Sequence, residues 1–395
     1  MEFLGYERPD GSAGVRNHVV VIPAGRCSND LAAVISDQVP KTTALLHNHG
    51  CLLLKPDNDS ALRTLIGLGR NPNVAAVLVV GVGCESVSAV DIAAGISASG
   101  KPVDMVTVEK SGGFQAAVEK GVLSLRHMNE LASQMVRTPC DIGKLTIGVK
   151  CGGSATLSGL AGNAAIGWAL DKLIANNGSA IFTETTEIIG AEHVLVRRAA
   201  SPEVGQRLLE FANRAETLIK NCGVDIRGTQ PTPANIANGL TTIEEKSLGA
   251  IVKSGTTPLQ SVLEYAERPQ GKGLHFMDCS AWTSHLFVGL AAAGAQISVF
   301  SLGGGLAGRF RTVPGAVWVP TIPTLKVVSD PELKTEKEYI DVFAGTIVDG
   351  DETKEQVGER LFEEFIKIAS GKMSKLEMHP GFRDILELYF TGPWI

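Results

Sequence analysis

Aromatic residues make up only 5% of this 395-residue chain, and basic residues are outnumbered by acidic ones. The formal net charge of −6, with no stripe of Lys and Arg, argues against a nucleic-acid partner, because a nucleic-acid surface must neutralise phosphates. No apolar run reaches the roughly 18 residues that cross a bilayer, so no membrane partner is expected. The first residues lack the basic-then-apolar order of a signal peptide, which predicts a cytoplasmic protein.

The numbers of cysteine and glycine residues narrow the class of protein further. Seven cysteines, an odd number spread over the whole chain, do not resemble a disulfide framework and are expected to be free thiols. Each is then either a small core residue or a reactive or metal-binding group. Glycine is abundant, at 44 residues, which predicts many tight turns and suits an α/β protein whose loops bind a small molecule.

Short apolar runs alternate with helical patterns in the first third of the chain. The predicted strands are 18–24, 43–47, 74–82 and 102–108. The predicted helices are 29–38, 60–69, 86–99 and 113–136. This alternation predicts βαβ units, and therefore a Rossmann-like parallel-sheet domain over residues 1–142.

A second α/β domain is predicted over residues 143–395, so the fold class is α/β throughout. Its predicted strands are 145–150, 179–185, 273–278, 296–301 and 315–319. Its predicted helices include 159–175, 202–221 and 355–370. A further helix is expected after Thr242, because Glu245 follows it at the spacing of a capping box. Glu244, Glu245 and Lys246 are interpreted as the solvated face of that helix.

Four cysteines share one position, just past the end of a predicted strand. The carboxyl ends of parallel strands meet at one edge of a sheet, where ligands bind, so thiols far apart in sequence can converge there. Several thiolates around one point form a soft site suited to iron, zinc or an Fe–S cluster. The alternative is that small cysteines simply occupy tight turns. The four are Cys27, Cys51, Cys84 and Cys151.

A glycine-rich loop follows the predicted strand at 145–150. Gly152, Gly153 and Ser154 stand before a predicted helix, where backbone N–H groups can cradle a carboxylate or a phosphate. No Gly-Lys-Ser/Thr follows, so this is not a P-loop. The alternative interpretation is an ordinary tight turn between a strand and a helix.

An unusual polar cluster lies in otherwise apolar sequence after the strand at 179–185. Its members are Glu184, Glu187, Glu192 and His193. Carboxylates and an imidazole beside a cleft can act as general acid and base or as metal ligands. Alternatively, these charges complement the dipole at the start of a helix.

Several long motifs resemble the altronate/galactarate dehydratase family. They include "GYERPDGSAGVRNHVVVIP", "RNPNVAAVLVVGVGCE", "KCGGSATLSGLAGNAAIG", "ETTEIIGAEH" and "GLTTIEEKSLGAIVKSGTTP". The resemblance extends from Gly5 to about Glu377. It implies an iron-dependent lyase that eliminates a group β to the carboxylate of a hydroxy acid. In a related branch, the large subunit of sulfolactate sulfo-lyase, the group expelled is sulfite.

The resemblance also implies roles for the residues singled out above. The family's thiols fall on the four strand-end cysteines, which would hold iron as Fe²⁺ or as an Fe–S cluster. The acidic cluster of residues 184–193, or a missing subunit, would supply the base, and the loop of Gly152, Gly153 and Ser154 would bind the substrate. Cys140 and Cys222 match no such position.

The sequence departs from the family in its loops. Ala155 stands where sugar-acid dehydratases usually have Asp, and "FMDCSAWT" and "FSLGGG" replace their "FMDTPGYD" and "FTTGRG". The sequence begins directly at the core, without the small N-terminal domain that these enzymes often carry, so we expect either a separate small subunit that supplies this domain or a different chemistry. We therefore expect dehydration of a small hydroxy acid, possible sulfite release from sulfolactate, and a homo-oligomer. The alternative from a different class is a non-catalytic partner subunit.

Overall fold

Two parallel sheets and one small antiparallel sheet organise the protein, with helices packed against them. The structure is a computed structural model that describes residues 1–51, 53–304, 319–333, 340–378 and 385–392. This architecture confirms the predicted α/β class. In the part of the chain described, no helix is both long and apolar enough to span a membrane.

The first stretch of the chain forms the antiparallel sheet and the smaller parallel sheet. In chain order its elements are β1 (Glu2–Glu7), β2 (Ala13–Gly14), β3 (His18–Pro23), α1 (Asn29–Asp37), β4 (Thr42–Ala44), α2 (Lys55–Arg70), β5 (Val74–Gly81), α3 (Ala89–Ser97), β6 (Val103–Thr107), α4 (Val108–Ser111), α5 (Phe114–Ser133) and β7 (Thr138–Asp141).

The remaining chain forms the larger sheet and its helices. In chain order its elements are β8 (Thr146–Gly152), α6 (Asn163–Ala175), β9 (Ser179–Phe182), α7 (Glu192–Val196), α8 (Pro202–Asn221), α9 (Pro233–Ala237), α10 (Ile243–Ile251), β10 (Leu259–Leu263), β11 (Gly273–Met277), α11 (Thr283–Ala292), β12 (Ile297–Leu302), β13 (Thr324–Val328), β14 (Val342–Phe343), α12 (Gly345–Val348) and α13 (Lys354–Ala369).

The smaller parallel sheet has the order β4-β3-β5-β6, and all its neighbouring strands are parallel. All eight residues of β5 are buried, because helices cover both faces of the sheet and the strand must be apolar on both sides. The four strands and four helices predicted here are confirmed. If these four strands are numbered along the chain, their order across the sheet is 2-1-3-4, as in a flavodoxin-type sheet. The predicted parallel sheet is therefore confirmed, and the finer Rossmann-like description is not.

The antiparallel sheet has the order β2-β1-β7 and was not predicted. Phe3 of β1 pairs with Cys140 of β7, which buries both side chains. Because the two strands are distant in the sequence and each is short, neither shows a strand pattern by itself. Cys140 is thus a core residue of this sheet.

The larger sheet has the order β10-β11-β9-β8-β12-β13-β14, and every pairing in it is parallel. β8, β9, β11, β12 and the helices α6, α8, α10 and α13 confirm their predictions, whereas β10, β13 and β14 were not predicted. Residues 315–318 of the predicted strand at 315–319 lie outside the described residues. The two parallel sheets use separate stretches of chain, and the division at residue 142 stays a prediction.

Helices and buried amides join the two parallel sheets. α2 packs along α11, and one apolar core includes side chains from both halves of the chain. Asn73 donates to the backbone oxygens of Gln296 and Thr321 at 2.8 and 2.9 Å, and its Oδ1 accepts from the Val15 amide at 2.8 Å. The Asn73 side chain is wholly buried, and both hydrogens of its amide group and its amide oxygen have hydrogen-bond partners.

Replacing Asn73 by Ala should destabilise the protein by about 2–4 kcal/mol. The substitution leaves one buried amide and two buried carbonyls without partners, and each such loss is costly. Thermal unfolding of the variant and the wild type measures the difference. Asn221→Ala, an exposed asparagine at the end of α8, is the control and should change stability by less than about 0.5 kcal/mol. Equal unfolding temperatures for the two variants would contradict the expected role of the amide.

Candidate functional site

The carboxyl ends of the central strands of the larger sheet form the candidate site. β8 lies in the middle, the chain continues to β9 on one side, and it later returns to β12 on the other side. Such a change of direction opens a crevice above the strand ends, where parallel sheets bind their ligands. Cys151 lies at the end of β8, and Glu184 follows β9 by two residues.

Glu184 has a left-handed backbone, with φ at +86°. A residue with a side chain adopts this conformation rarely, at a cost of about 1–3 kcal/mol, and such residues concentrate at functional sites. The turn reverses the chain so that Thr185–Glu187 forms a short 3₁₀ helix. As a result the carboxylates of Glu184 and Glu187 both point toward the end of β8.

The two carboxylates enclose the thiol of Cys151. The Sγ atom donates toward Glu187 Oε2 at 3.2 Å and lies 3.4 Å from Glu184 Oε2. The Cys151 amide also donates to Glu184 Oε2, at 3.0 Å. All three side chains are buried, and their potential ligand atoms lie within 4.8 Å of one another, so the group could bind a metal ion. Hereafter these three residues, with Lys150, Lys246 and Lys253, are called the Cys151 cluster.

Lys253 supplies the closest positive charge in the cluster. It lies in the turn after α10, where its Nζ atom donates to Glu184 Oε2 at 2.7 Å and to Cys151 Sγ at 3.2 Å. Its side chain is 2% exposed, and that of Glu184 is completely buried. Sequence analysis did not identify this lysine, because it lies far along the chain from both partners.

Two further lysines border the carboxylates. Lys150 Nζ lies 3.4 Å from Glu184 Oε1, an oxygen that has no hydrogen-bond partner among the described residues. Lys246 Nζ lies 3.3 Å from Glu187 Oε1. The interpretation of Lys246 as part of a solvated helix face was wrong, because it is buried against this carboxylate. Lys246 and Lys253 are seven residues apart, two helical turns, and this spacing was the available sequence signal.

Burial and charge together determine the protonation of the cluster. Burial and the adjacent carboxylates raise the pKa of Cys151 well above the ordinary value, so the thiol stays protonated. Burial alone would raise the pKa of Glu187, but Lys246 and the other lysines outweigh it and lower the pKa. Burial alone would lower the pKa of Lys253, but the surrounding acidic groups raise it, so the ammonium stays charged.

The other residues of the predicted acidic cluster lie elsewhere. Glu192 is half-buried at the start of α7 and accepts a hydrogen bond from the Gly190 amide at 2.9 Å. His193 is exposed on the same short helix. The structure therefore separates these two residues from Glu184 and Glu187, and their position at a helix start matches the alternative interpretation.

The predicted glycine-rich loop borders the cluster. Gly153 has φ at +58°, a conformation that favours glycine, and a side chain on Gly303 would meet its carbonyl oxygen at 2.2 Å. Ser154 is buried, and its carbonyl accepts from Asn235 Nδ2 at 2.9 Å. Gly152 ends β8 next to Cys151. The loop is thus held in place beside the thiol, and its role in substrate binding stays a prediction.

The remaining strand-end thiols lie on loops at the carboxyl edge of the smaller parallel sheet. Cys27 and Cys84 are exposed and Cys51 is half-buried. These three loops bond to one another: the Arg26 amide donates to His49 at 2.8 Å, and Val87 and Ser86 both donate to the carbonyl of Gly50, the latter at 3.0 Å. Among the described residues, the group of ligand atoms within 4.8 Å contains Cys151 but none of these three thiols. A four-thiol site therefore stays a prediction.

Comparisons with known proteins cover nearly the whole chain. Residues 5–133 match the family model "D-galactarate dehydratase/Altronate hydrolase, second domain", and residues 142–389 match "D-galactarate/Altronate dehydratase, C-terminal". The chain is 36% identical to (2R)-sulfolactate sulfo-lyase subunit beta of Chromohalobacter salexigens, with 95% of the chain and 94% of the relative covered.

Two curated dehydratases are similar at lower identity. Altronate dehydratase of Bacillus subtilis is 32% identical, with 94% of the chain and 74% of the relative covered. Galactarate dehydratase (L-threo-forming) of Escherichia coli is also 32% identical, with 99% of the chain and 77% of the relative covered. Each dehydratase thus contains a portion that the chain does not match.

Thiol titration tests the burial of Cys151. In folded, metal-free protein, the three exposed thiols should react rapidly with a disulfide reagent such as DTNB, whereas the three buried ones should react only after unfolding. The attacking species is the thiolate, and the raised pKa of Cys151 disfavours it. The exposed thiols are Cys27, Cys84 and Cys222, and the buried ones are Cys140, Cys151 and Cys279.

Two substitutions provide the control for this titration. Cys222→Ser should remove one rapidly reacting thiol, while Cys151→Ser should leave that number unchanged. A smaller rapid phase in Cys151→Ser would show that this thiol is accessible and ionised.

Proposed function

The chain belongs to the D-galactarate/altronate dehydratase family, and on this premise we propose that it performs β-elimination on a small 2-hydroxycarboxylic acid at the Cys151 cluster, hereafter called the elimination cluster. Its curated relatives are lyases, and the chain is accordingly a hydro-lyase or a carbon–sulfur lyase. The observation that carries the proposal is the excess of buried positive charge around Cys151.

The charge excess suits an anionic substrate. Among the described residues of the cluster, three ammonium groups face two carboxylates, and the thiol between them is protonated, so this group carries one more positive charge than negative. A buried charge without a partner costs several kcal/mol, so such a site gains stability when an anion enters it. A substrate carboxylate is the anion that a hydroxy-acid lyase brings. Lys150 and Lys246 retain slight exposure and are proposed to receive it.

Glu187 is proposed as the base that removes the α-proton. Cys151 and Lys253 stay protonated and cannot accept a proton, whereas the lowered pKa of Glu187 keeps it ionised at neutral pH. Glu184 is completely buried, and its Oε2 atom accepts hydrogen bonds from Lys253 and from the Cys151 amide, so its proposed role is to hold the lysine and the thiol in place.

Sulfolactate is the second candidate substrate. The chain is 36% identical to a sulfo-lyase subunit beta, against 32% for each of the two dehydratases. We propose that a separate small subunit completes the enzyme. Ser280, Ala281, Trp282 and Thr283 stand where the sugar-acid enzymes of the family have "PGYD", and Trp282 is 60% exposed. This favours a shorter acid. The homo-oligomer and the cytoplasmic location stay predictions.

Iron is proposed as the cofactor, bound by Cys27, Cys51 and Cys84. A side chain on Gly25 would meet Glu85 at 2.9 Å, and one on Gly50 would meet a carbonyl oxygen at 2.4 Å, so only glycines let these loops approach so closely. Thiolates are suitable ligands for iron. When bound, iron would supply Lewis acidity toward the substrate's oxygen atoms.

Cys151 is proposed to act in the elimination cluster and not as an iron ligand. The Cys151 Sγ atom already contacts the ammonium of Lys253, and this positive charge occupies the position beside the thiol that an iron ion would need. This assignment differs from the set of four ligands that the sequence predicts.

Glu187→Gln should lower kcat by about 10²–10⁴-fold, because the amide cannot accept the α-proton. Turnover is measured on a panel of C3–C6 hydroxy acids, with 2-keto acid formation and sulfite release followed separately. Because the proposal includes a small subunit, candidate subunits are added to the assay. Glu192→Gln is the matched control and should change kcat by less than a few-fold. Loss of activity in the control but not in Glu187→Gln would assign the base to α7 instead.

Iron content should depend on the loop cysteines. Protein purified without oxygen should contain iron, and Cys27→Ser, Cys51→Ser and Cys84→Ser should each reduce it, because each removes one thiolate ligand. Cys222→Ser and Cys151→Ser should retain the wild-type amount, measured by elemental analysis. If Cys151→Ser alone lost the metal, the buried group around Cys151 would be the iron site.

A further inference from the structure

The last described segment of the chain, residues 385–392, crosses from one half of the protein to the other. The Leu386 amide donates to a backbone oxygen just after β4, at 2.7 Å. The amides of Thr391 and Gly392 donate to the carboxylate of Asp57 in α2, at 3.1 and 2.8 Å. Both ends of this C-terminal segment are therefore fixed to the first half of the chain.

Between these anchors the C-terminal segment faces the loop after β11. Glu387 accepts a hydrogen bond from the indole of Trp282, and its Oε2 lies 4.0 Å from His285 Nε2. The ring of Tyr389 lies 5.5 Å from that of His285. On the other side of the imidazole, Nδ1 lies 3.2 Å from the hydroxyl of Ser280. The His285 imidazole thus has neighbours from the loop after β11 on one side and from the C-terminal segment on the other.

His285 belongs to the same sheet edge as the elimination cluster. His285 is the third residue of α11, and the loop that precedes this helix includes Cys279, which exchanges two hydrogen bonds with Thr185, at 3.0 and 3.1 Å. Thr185 is the neighbour of Glu184. The His285 side chain is 25% exposed, whereas that of Glu187 is 8% exposed, so the imidazole lies at the open rim and the carboxylate lies deeper.

We propose that His285 is the acid that protonates the departing hydroxyl group, and that Glu387 of the C-terminal segment is its positioning residue. This inference rests on the elimination reaction proposed above. It assigns roles to His285 and to the Glu387 side chain, neither of which belongs to the elimination cluster.

The proton balance of the step follows from this assignment. Glu187 takes the proton from the α-carbon, the C–O bond at the β-carbon breaks, and a proton from the His285 imidazolium joins the leaving hydroxide to form water. The resulting enol becomes the 2-keto acid by moving its hydroxyl proton to solvent and accepting one at the β-carbon. Glu187 then releases its proton and His285 regains one. Sulfite leaves as a stable anion, so its departure needs this acid less.

Among the residues that the structure describes, four titratable groups pack against His285. Glu387 and Tyr389 come from the C-terminal segment, the Tyr265 hydroxyl donates to the His285 carbonyl at 2.8 Å, and His49 comes from the first half of the chain. Burial lowers the pKa of His285, and the Glu387 carboxylate opposes that shift. Removing the carboxylate should therefore confine the protonated imidazole to lower pH.

The test compares pH profiles of dehydration by wild type, His285→Gln and Glu387→Gln in the active assembly. His285→Gln should lower kcat by about 10²–10⁴-fold and abolish the fall in rate toward alkaline pH. Glu387→Gln should retain kcat at acidic pH and move the alkaline fall to lower pH. His127→Gln, an exposed histidine of α5, is the control and should match wild type.

Two outcomes would overturn the proposal. One is an unchanged alkaline limb in His285→Gln. The other is a uniform loss of rate in Glu387→Gln without a shift of the limb, which a merely structural role would produce. NMR titration of histidine-labelled protein needs no turnover and separates this proposal from the proposed function. The spectrum of His285→Gln identifies the His285 signal, because that signal is missing from it. In Glu387→Gln the same signal should titrate at lower pH than in wild type, and an unshifted midpoint would refute the proposed influence of Glu387 on His285.

Discussion

The ion pair between Lys253 and Glu184 is the interaction on which the candidate site depends. Its Nζ–Oε2 distance is 2.7 Å, and the two side chains are 2% and 0% exposed. Neither charge could be buried alone, because removing one partner of such a pair typically costs about 3–5 kcal/mol. The pair therefore ties the turn after α10 to the turn after β9. It also helps to hold Glu184 in its left-handed conformation, which places Glu187 beside the thiol.

The site around this ion pair is almost completely buried at its centre and more exposed to solvent at its rim. At its centre a protonated thiol is enclosed by two carboxylates and three ammonium groups that are almost free of water. At its rim a half-buried histidine contacts the solvent and a segment from the end of the chain. An elimination needs both: a water-poor region where an anion and its α-proton meet fixed charges, and an exchangeable acid where the leaving group departs.

The sequence predicted those features that local patterns determine. The runs 18–24 and 74–82 predict their strands because a strand covered on both faces must be apolar throughout. The rule that strand ends converge indicates the region of Cys151 and Glu184, and the structure brings these residues together. By contrast, Lys253, β1 and the C-terminal segment depend on contacts with distant residues, which no local pattern contains. Glu187 and Glu192 look alike in sequence, and only the fold separates a buried carboxylate from a helix-start charge.

The structure of the enzyme with tartronate, a 2-hydroxy acid that lacks a β-leaving group, tests the central claim most directly. The account predicts one tartronate carboxylate within hydrogen-bond distance of the Lys150 or Lys246 ammonium, with the α-carbon facing Glu187. Tartronate bound elsewhere, with the elimination cluster unchanged, would contradict the claim that this buried group of charges is where the substrate reacts.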